Sequence, residues 1–426
     1  MNFLKDLVSV ENHKSKLKSV PIDELRDRSS VNLKEQSADE LEGEDAIFKQ
    51  FMQSGCGSWF ELIKEQTFSS TFAKLVPSEA LVIVRHWDDL RALKTKLLKE
   101  DATDAVVAKS VQELLNIALD KLELSGLKQR LSEAIYTEIA LSPSGLAFVK
   151  LSTRSPKDSK KALAAAHLAY DERLHKLTPD THEVETLSDN DKWRLLCETT
   201  TQSGAVNNAS SALILLLDSD RVYEDLEYAL KGPPSKNTHY DAVASTSSSS
   251  TDDDEHAAMV ALEWNMDLVA RAWDPRLKPE SEFRGICWDH KLTCVGQYFH
   301  PLIFPELFAI KEQIEKDIWE TFQKHQTTAA IASVGGNCII DFAWLGNGEV
   351  VIIEINPFDG IVLGTFPAST GLFLWENAVD NAIMKGEAPF EFRIRDVPLD
   401  PHALKSQCNK DWRDIIYSPK SIKSSR

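Results

Sequence analysis

At 426 residues, with 42% hydrophobic and 27% charged side chains, the chain is long enough for two or three packed subdomains around more than one core. Its 66 acidic residues against 48 basic ones give a formal net charge of -18, which repels phosphodiester backbones at long range and excludes general nucleic-acid binding, though not a local nucleotide site. No run approaches the roughly 18 apolar residues of a membrane span, and residues 1–10 lack the apolar core of a signal peptide. The expectation is a cytoplasmic protein that touches neither membrane nor nucleic acid. Six cysteines (Cys56, Cys197, Cys287, Cys294, Cys338, Cys408) form no C-x-x-C pair, so they read as reduced, buried thiols.

In chain order, residues 1–45 are charged and weakly apolar and read as a flexible arm, with folded structure starting near Ala46. Residues 46–144 read as a helix-rich subdomain: a strand at 80–85, then long helices between Trp87 and Tyr136. A central subdomain follows over 145–265. It starts with a strand at 145–150 that ends in Lys150, a polar loop holding Lys157 and Asp158, and an alanine-rich helix at 162–177. A buried strand at 212–217 comes next, because its apolar run is short and continuous. A helix at 220–230 closes this part. Residues 232–256, rich in serine and then aspartate, read as a disordered insertion.

The C-terminal subdomain, 266–395, carries strands at 259–264 (running in from its border), 268–273, 282–288 and 292–298, a helix at 303–325 with an apolar stripe, and a final hairpin trailed by a helix at 371–384. Residues 396–426 form a tail.

That hairpin carries the most chemistry. Asn347-Gly348 between two apolar runs predicts a two-residue turn in which both residues take positive φ. Counting back pairs Trp344 with Val351, Phe342 with Ile353 and Ile340 with Ile355, an apolar face. On the other face Asp341 lies opposite Glu354, with Asn356 beside them. Two like charges opposite each other in a sheet are destabilising unless something positive sits between them. Magnesium, which takes oxygen ligands and leaves positions for phosphates, resolves the conflict; a protonated or solvent-turned acid is the alternative, and Asn356 taken alone reads equally as a strand cap. A turn at Asp289-His290 would pair Arg284 with Val295 and put Glu282, Arg284 and Ile286 on one face. A buried arginine there needs an anion, either a phosphate or an acid such as Glu282. The loop after Lys150 is not glycine-rich and does not match a P-loop.

Taken in order, Phe148-Val-Lys-Leu-Ser-Thr-Arg-Ser-Pro-Lys-Asp158, Leu215-Leu-Leu-Asp-Ser-Asp220, Leu268-Val-Ala-Arg-Ala-Trp273, Glu282-Phe-Arg284, Ile340-Asp341, Ile353-Glu-Ile-Asn-Pro-Phe358 and Leu372-Phe-Leu-Trp-Glu376 resemble the cell division cycle protein 123 family of the ATP-grasp superfamily, over roughly residues 145 to 390. The resemblance implies an α+β, ATP-grasp fold holding ATP between two α+β subdomains. It implies that Lys150, Lys157, Arg271, Trp273, Arg284, Asp341, Glu354 and Asn356 surround the nucleotide and that the last three hold Mg2+. It also implies a partner, the gamma subunit of eukaryotic translation initiation factor 2, for which the family acts as an assembly factor. The sequence departs from the family where Asp-Phe-Asn-Pro-Phe becomes Glu354-Ile-Asn-Pro-Phe and where the tryptophan after Lys-Leu-Asn is replaced in Lys150-Leu-Ser-Thr. An ATP-grasp carboxylate-amine ligase working through an acylphosphate is the competing function, and a scaffold with a vestigial site the third.

Overall fold

The computed structural model describes residues 38–100, 103–177, 187–233, 264–357, 370–407 and 410–417. The expected arm before residue 38, most of the 232–256 insertion, nearly all of the 259–264 strand, Cys408 and the end of the tail lie outside the described residues.

Two sheets organise an α+β chain. A four-stranded sheet joins β1 (Ser70–Lys74), β4 (Asp267–Ala272), β2 (Ala147–Leu151) and β3 (Ala205–Val206) in the spatial order β1-β4-β2-β3, all antiparallel. The five-stranded sheet runs β8 (Glu349–Pro357), β7 (Cys338–Gly346), β5 (Glu282–Trp288), β6 (Lys291–Gln297), β9 (Glu391–Arg393), with only the β6–β9 pair parallel. The first sheet takes β1 from the expected N-terminal subdomain and β4 from the expected C-terminal one, so boundaries at 145 and 266 would cut through a single sheet. Helix α1 (Ala38–Ser54) likewise begins ahead of Ala46. Among the described residues no helix is long and apolar enough to cross a membrane.

The N-terminal region is helical as expected, but residues 80–85 are not a strand. They lie inside α3 (Pro77–Lys99), which follows α2 (Cys56–Ile63). Pro77 supplies a pre-set φ at the first helical position, and the Glu79 carboxylate accepts the Val76 N–H at 3.1 Å. Ala80, Ile83, Val84, Leu90 and Leu97 are its buried apolar residues, one helical face that a six-residue window hides. Helices α4 (Asp104–Leu119) and α5 (Ser125–Leu141) complete this region.

After β2 come α6 (Lys160–Leu177) and α7 (Asp189–Ser203). Residues 212–217 are also helical, within α8 (Ala209–Leu217), started by the Asn208 side chain accepting the Ser211 N–H at 2.8 Å. The helix is buried on nearly all sides, and a short apolar run then looks the same in a helix and in a strand. The expected helix at 220–230 is α9 (Asp220–Lys231). The helix expected over 303–325 starts only at α10 (Lys311–Phe322), after a single 3-10 turn at Pro305–Leu307, and is followed by a separate α11 (His325–Ser333). The trailing helix α12 is shorter than expected, Ala378–Met384, and α13 (Pro401–Ser406) and α14 (Lys410–Tyr417) close the described chain. Cys56, Cys197, Cys287, Cys294 and Cys338 are all buried and outside any disulfide among the described residues.

Candidate functional site

The two sheets face each other across a cleft of about 1090 Å³, part of it open to solvent. Contacts between the sheets close its floor. Lys150 of β2 pairs with Glu354 of β8, Arg271 of β4 donates to the Ile353 carbonyl at 2.7 Å, and the Thr67 hydroxyl donates to the Ile352 carbonyl at 2.7 Å. Phe68, Phe148, Trp273, Phe299 and Trp412 supply apolar walls, while Lys150, Lys157, Arg271, Glu282 and Glu354 supply the charge. A cleft with flat aromatic walls and a few convergent charges suits a planar base with a polyanionic tail.

Hairpin geometry sets the acids. The turn residues take the positive φ read from the sequence, Asn347 at 53° and Gly348 at 81°. Asp341 is the direct partner of Glu354, and Ile340 of Ile355, as counted. Between them and the turn the ladder slips by one residue, so Phe342 meets Ile352 rather than Ile353, and Trp344 meets Val350 rather than Val351. Two irregularities, after Asp341 and at Leu345, produce the slip and cancel it again. In the neighbouring hairpin both Asp289 and His290 have positive φ, 47° and 64°. There a single shift between Ile286 and Cys287 makes Gly296, not Val295, the partner of Arg284.

The opposed carboxylates are neutralised by cations of the chain itself. Arg284 sits directly across β7 from Asp341 and grips it with two hydrogen bonds, Nε to Oδ1 and Nη2 to Oδ2, both 2.8 Å, with both residues buried. Burial alone would lower the Arg284 pKa, but the Asp341 carboxylate raises it well above its ordinary value. Glu354 is paired with the almost fully buried Lys150. Burial pushes its carboxyl up, yet the charge and hydrogen bond of Lys150, with Lys157 behind them, bring it down to about 2. Glu354 is therefore ionised, and each acid of the expected metal face is paired with a cation, Asp341 with a guanidinium and Glu354 with an ammonium.

Asn356 donates to Asp341 Oδ2 at 3.3 Å, which leaves its amide oxygen as a further donor atom on the same face. Among the described residues no three His, Cys, Asp or Glu side chains gather as a metal-ligating cluster. The Asp341, Glu354 and Asn356 set is two carboxylates and an amide, all hard oxygens suited to magnesium, and Asp341 retains lone pairs beyond the two that Arg284 uses. The residues present fit the ion.

Of the other expected residues, Arg271 is fixed by Ser70 Oγ at 3.2 Å and by the Ile353 carbonyl, and Trp273 packs on Phe148 at 6.4 Å in the cleft wall. The Lys157 ammonium lies 5.1 Å above the Tyr298 ring, 3.4 Å from its hydroxyl. Arg284, Asp341 and Asn356 are joined to Glu354 but do not line the cleft. Two residues escaped the sequence reading as site residues in their own right. Tyr298 stacks against both Lys157 and Arg284, the latter at 4.7 Å. Glu282 faces the cleft, and its carboxyl has no hydrogen bond or ion pair among the described residues. Burial, opposed by Lys157 and reinforced by Asp341 and Glu354, raises its carboxyl to about 7. Only its i, i+2 relation to Arg284 pointed to it in the sequence.

Comparison with known proteins decides the family. The D123 family model matches residues 197–412, just over half of the chain. The chain belongs to the cell division cycle protein 123 family. That span covers Arg271, Trp273, Glu282, Arg284, Asp341, Glu354 and Asn356 and leaves Lys150 and Lys157 outside it. Two solved structures are similar over 82% of this chain and 98% of their own, each 17% identical: C-terminally truncated Cdc123 from Schizosaccharomyces pombe, TM-score 0.47, and Cdc123 from the same organism, TM-score 0.45. Likeness at that level carries no argument about the site. No curated protein matches the chain.

Proposed function

We propose that the chain binds ATP with magnesium in this cleft, in the ATP-grasp manner, and serves as an assembly factor for eukaryotic translation initiation factor 2 through its gamma subunit. The observation that carries the nucleotide reading is the juxtaposition of Asp341 and Glu354 on neighbouring strands, each paired with a cation of the chain, at the edge of an aromatic-walled cleft. Asp341, Glu354 and Asn356 would hold the ion, and Lys150, now paired with Glu354, would then be placed to contact a phosphate oxygen. Arg284 keeps Asp341 oriented with two parallel hydrogen bonds, and Arg271 fixes the floor through the Ile353 carbonyl. Magnesium bound here would neutralise phosphate charge. The partner assignment rests on family membership alone.

The test is calorimetric titration of ATP with and without magnesium into wild type, Asp341→Ala and Glu354→Ala, each checked for folding, followed by capture of purified gamma subunit. Magnesium-dependent binding that both variants lose supports the reading; a folded wild type that ignores ATP ends it. Gamma capture that does not respond to nucleotide would remove the link between the two halves of the proposal.

The ligase reading has one observation in its favour, the unpaired Glu282 carboxyl with a pKa near neutrality on the cleft wall, suited to taking a proton from an amine acceptor. Steady release of ADP without a protein partner, abolished by Glu282→Gln while ATP still binds, would favour it over the assembly factor.

A further inference from the structure

Arg221 opens the first turn of α9, just behind the loop that joins Lys150 to Lys157, and the residue is only 7% exposed. Its backbone N–H donates to Asp158 Oδ2 at 3.1 Å, and Ser219 Oγ donates to Asp158 Oδ1 at 2.5 Å, so that carboxylate is spent on the start of the helix. The other acids nearby are taken by Arg154, which reaches Asp225 at 2.9 Å and Glu224 at 3.3 Å, while Thr153 donates to Asp225 at 2.6 Å. The Arg221 guanidinium is left with no hydrogen bond or ion pair among the described residues, and its Nε is buried without a partner. A buried guanidinium with no direct counter-ion carries a desolvation cost that no hydrogen bond or ion pair here offsets.

The groups within electrostatic reach of that guanidinium show where it lies. Besides Asp158 and Arg154 they are Tyr298 and Glu354, both on the cleft wall, and Arg221 in turn acts on Lys157. Lys157 likewise has no carboxylate within ion-pair distance among the described residues, only the Tyr298 hydroxyl and ring. Two cations with no direct ion pair among the described residues therefore lie within electrostatic reach of Glu354. Burial, with Arg154 as a like charge, lowers the Arg221 pKa, as expected for a charge whose partner arrives with a ligand.

We infer that Arg221 is a phosphate-contacting residue, forming with Lys157 an anion seat for the phosphate chain beside Glu354. This deepens the nucleotide reading and rests on it. Neither its helix-start position nor its neighbours mark Arg221 in the sequence; the missing counter-ion does.

The experiment compares wild type, Arg221→Met and Arg221→Lys for binding of magnesium-ATP, adenosine and inorganic tripolyphosphate by calorimetry, with thermal melts of each ligand-free protein. Arg221→Met should weaken ATP and tripolyphosphate by about 10- to 100-fold, the loss of a charge-assisted contact, and leave adenosine unchanged. It should raise the ligand-free melting temperature, because an uncompensated buried charge is replaced by an apolar chain of similar volume, and Arg221→Lys should keep part of the affinity. ATP binding equal to wild type in Arg221→Met overturns the inference, as does a lowered melting temperature with adenosine lost in parallel, which marks a structural residue. Should wild type bind tripolyphosphate but not ATP, with the variant losing it, the anion seat stands and the nucleotide reading falls; a wild type that binds neither overturns both.

Discussion

The two hairpins of the five-stranded sheet make an instructive pair, because they start alike and end differently. Each turns on two residues with positive φ, Asn347-Gly348 and Asp289-His290, and each ladder slips by one residue. In β7–β8 a second irregularity undoes the slip, so counting from the turn reaches Asp341 opposite Glu354 correctly. In β5–β6 nothing undoes it, and counting from the turn misplaces the partner of Arg284. Turn chemistry thus fixes where a hairpin begins, but the pairing at its far end belongs to bulges whose cause is packing on both faces of the sheet. The hairpins meet at the Arg284–Asp341 pair, a buried ion pair across the β5–β7 seam.

The sharpest way to break that seam is Asp341→Ala, which strands a buried guanidinium. Denaturant titration should show a loss of roughly 3–5 kcal/mol, whereas Arg284→Met with Asp341→Leu should recover most of it. Equal losses in the single and double variants would show that the charge pairing does not hold the hairpins together.

Glu282, at the start of β5, separates the two carboxylate environments. Its pKa is raised from an ordinary 4.5 to about 7, so the folded chain retains a proton that the unfolded chain has released. Stability accordingly falls as pH rises through the window from 4.5 to 7. Glu282→Gln should match wild type near pH 4 and exceed it above pH 8, by roughly 3 kcal/mol at most. A constant offset across pH would contradict the raised pKa. Glu354 has the opposite sign: depressed to about 2, it contributes stability above its ordinary pKa that fades as the pH falls through the folded value.

Gly285 tests the packing side of the comparison. A Cβ there would stand 2.8 Å from Leu292 Cδ1, 3.0 Å from Phe342 Cε2 and 3.1 Å from Ile340 Cγ2, all in the sheet's own core. Gly285→Val should cost about 1–3 kcal/mol by overpacking, measured by thermal melt, with both turns intact. The smallest effect is expected at the turn itself: Gly348→Ala, at φ 81° with only Asp317 Oδ1 in contact, at 3.9 Å, should cost about 1 kcal/mol.

Much of the fold was legible because its signals are local. The 347–348 turn follows from Asn-Gly between apolar runs, and the α6, α9 and β4 segments follow from periodicity and flanking polar residues. Residues 80–85 and 212–217 were misread for one reason. A run of five or six apolar residues has no period of its own, and Pro77 and Asn208, placed just upstream, decide for helix. The candidate site divides in the same way. Asp341, Glu354 and Asn356 share a hairpin and could be placed by counting. Lys150 reaches Glu354 across 204 positions of sequence, and Arg284 reaches Asp341 only because β5 and β7 are neighbours.

By itself, then, the sequence determined the helical and strand segments with clear periodicity, the turn residues, the family, and the opposition of two carboxylates that needed a positive partner. Only the tertiary structure decided which cations answer them, that Glu282 faces the cleft unpaired, and that Arg221 has no counter-ion. The reason is physical: strand period and turn conformation are set by neighbours a few bonds apart, whereas the charge state and partnering of a buried group depend on segments that meet only when the sheets close over the cleft.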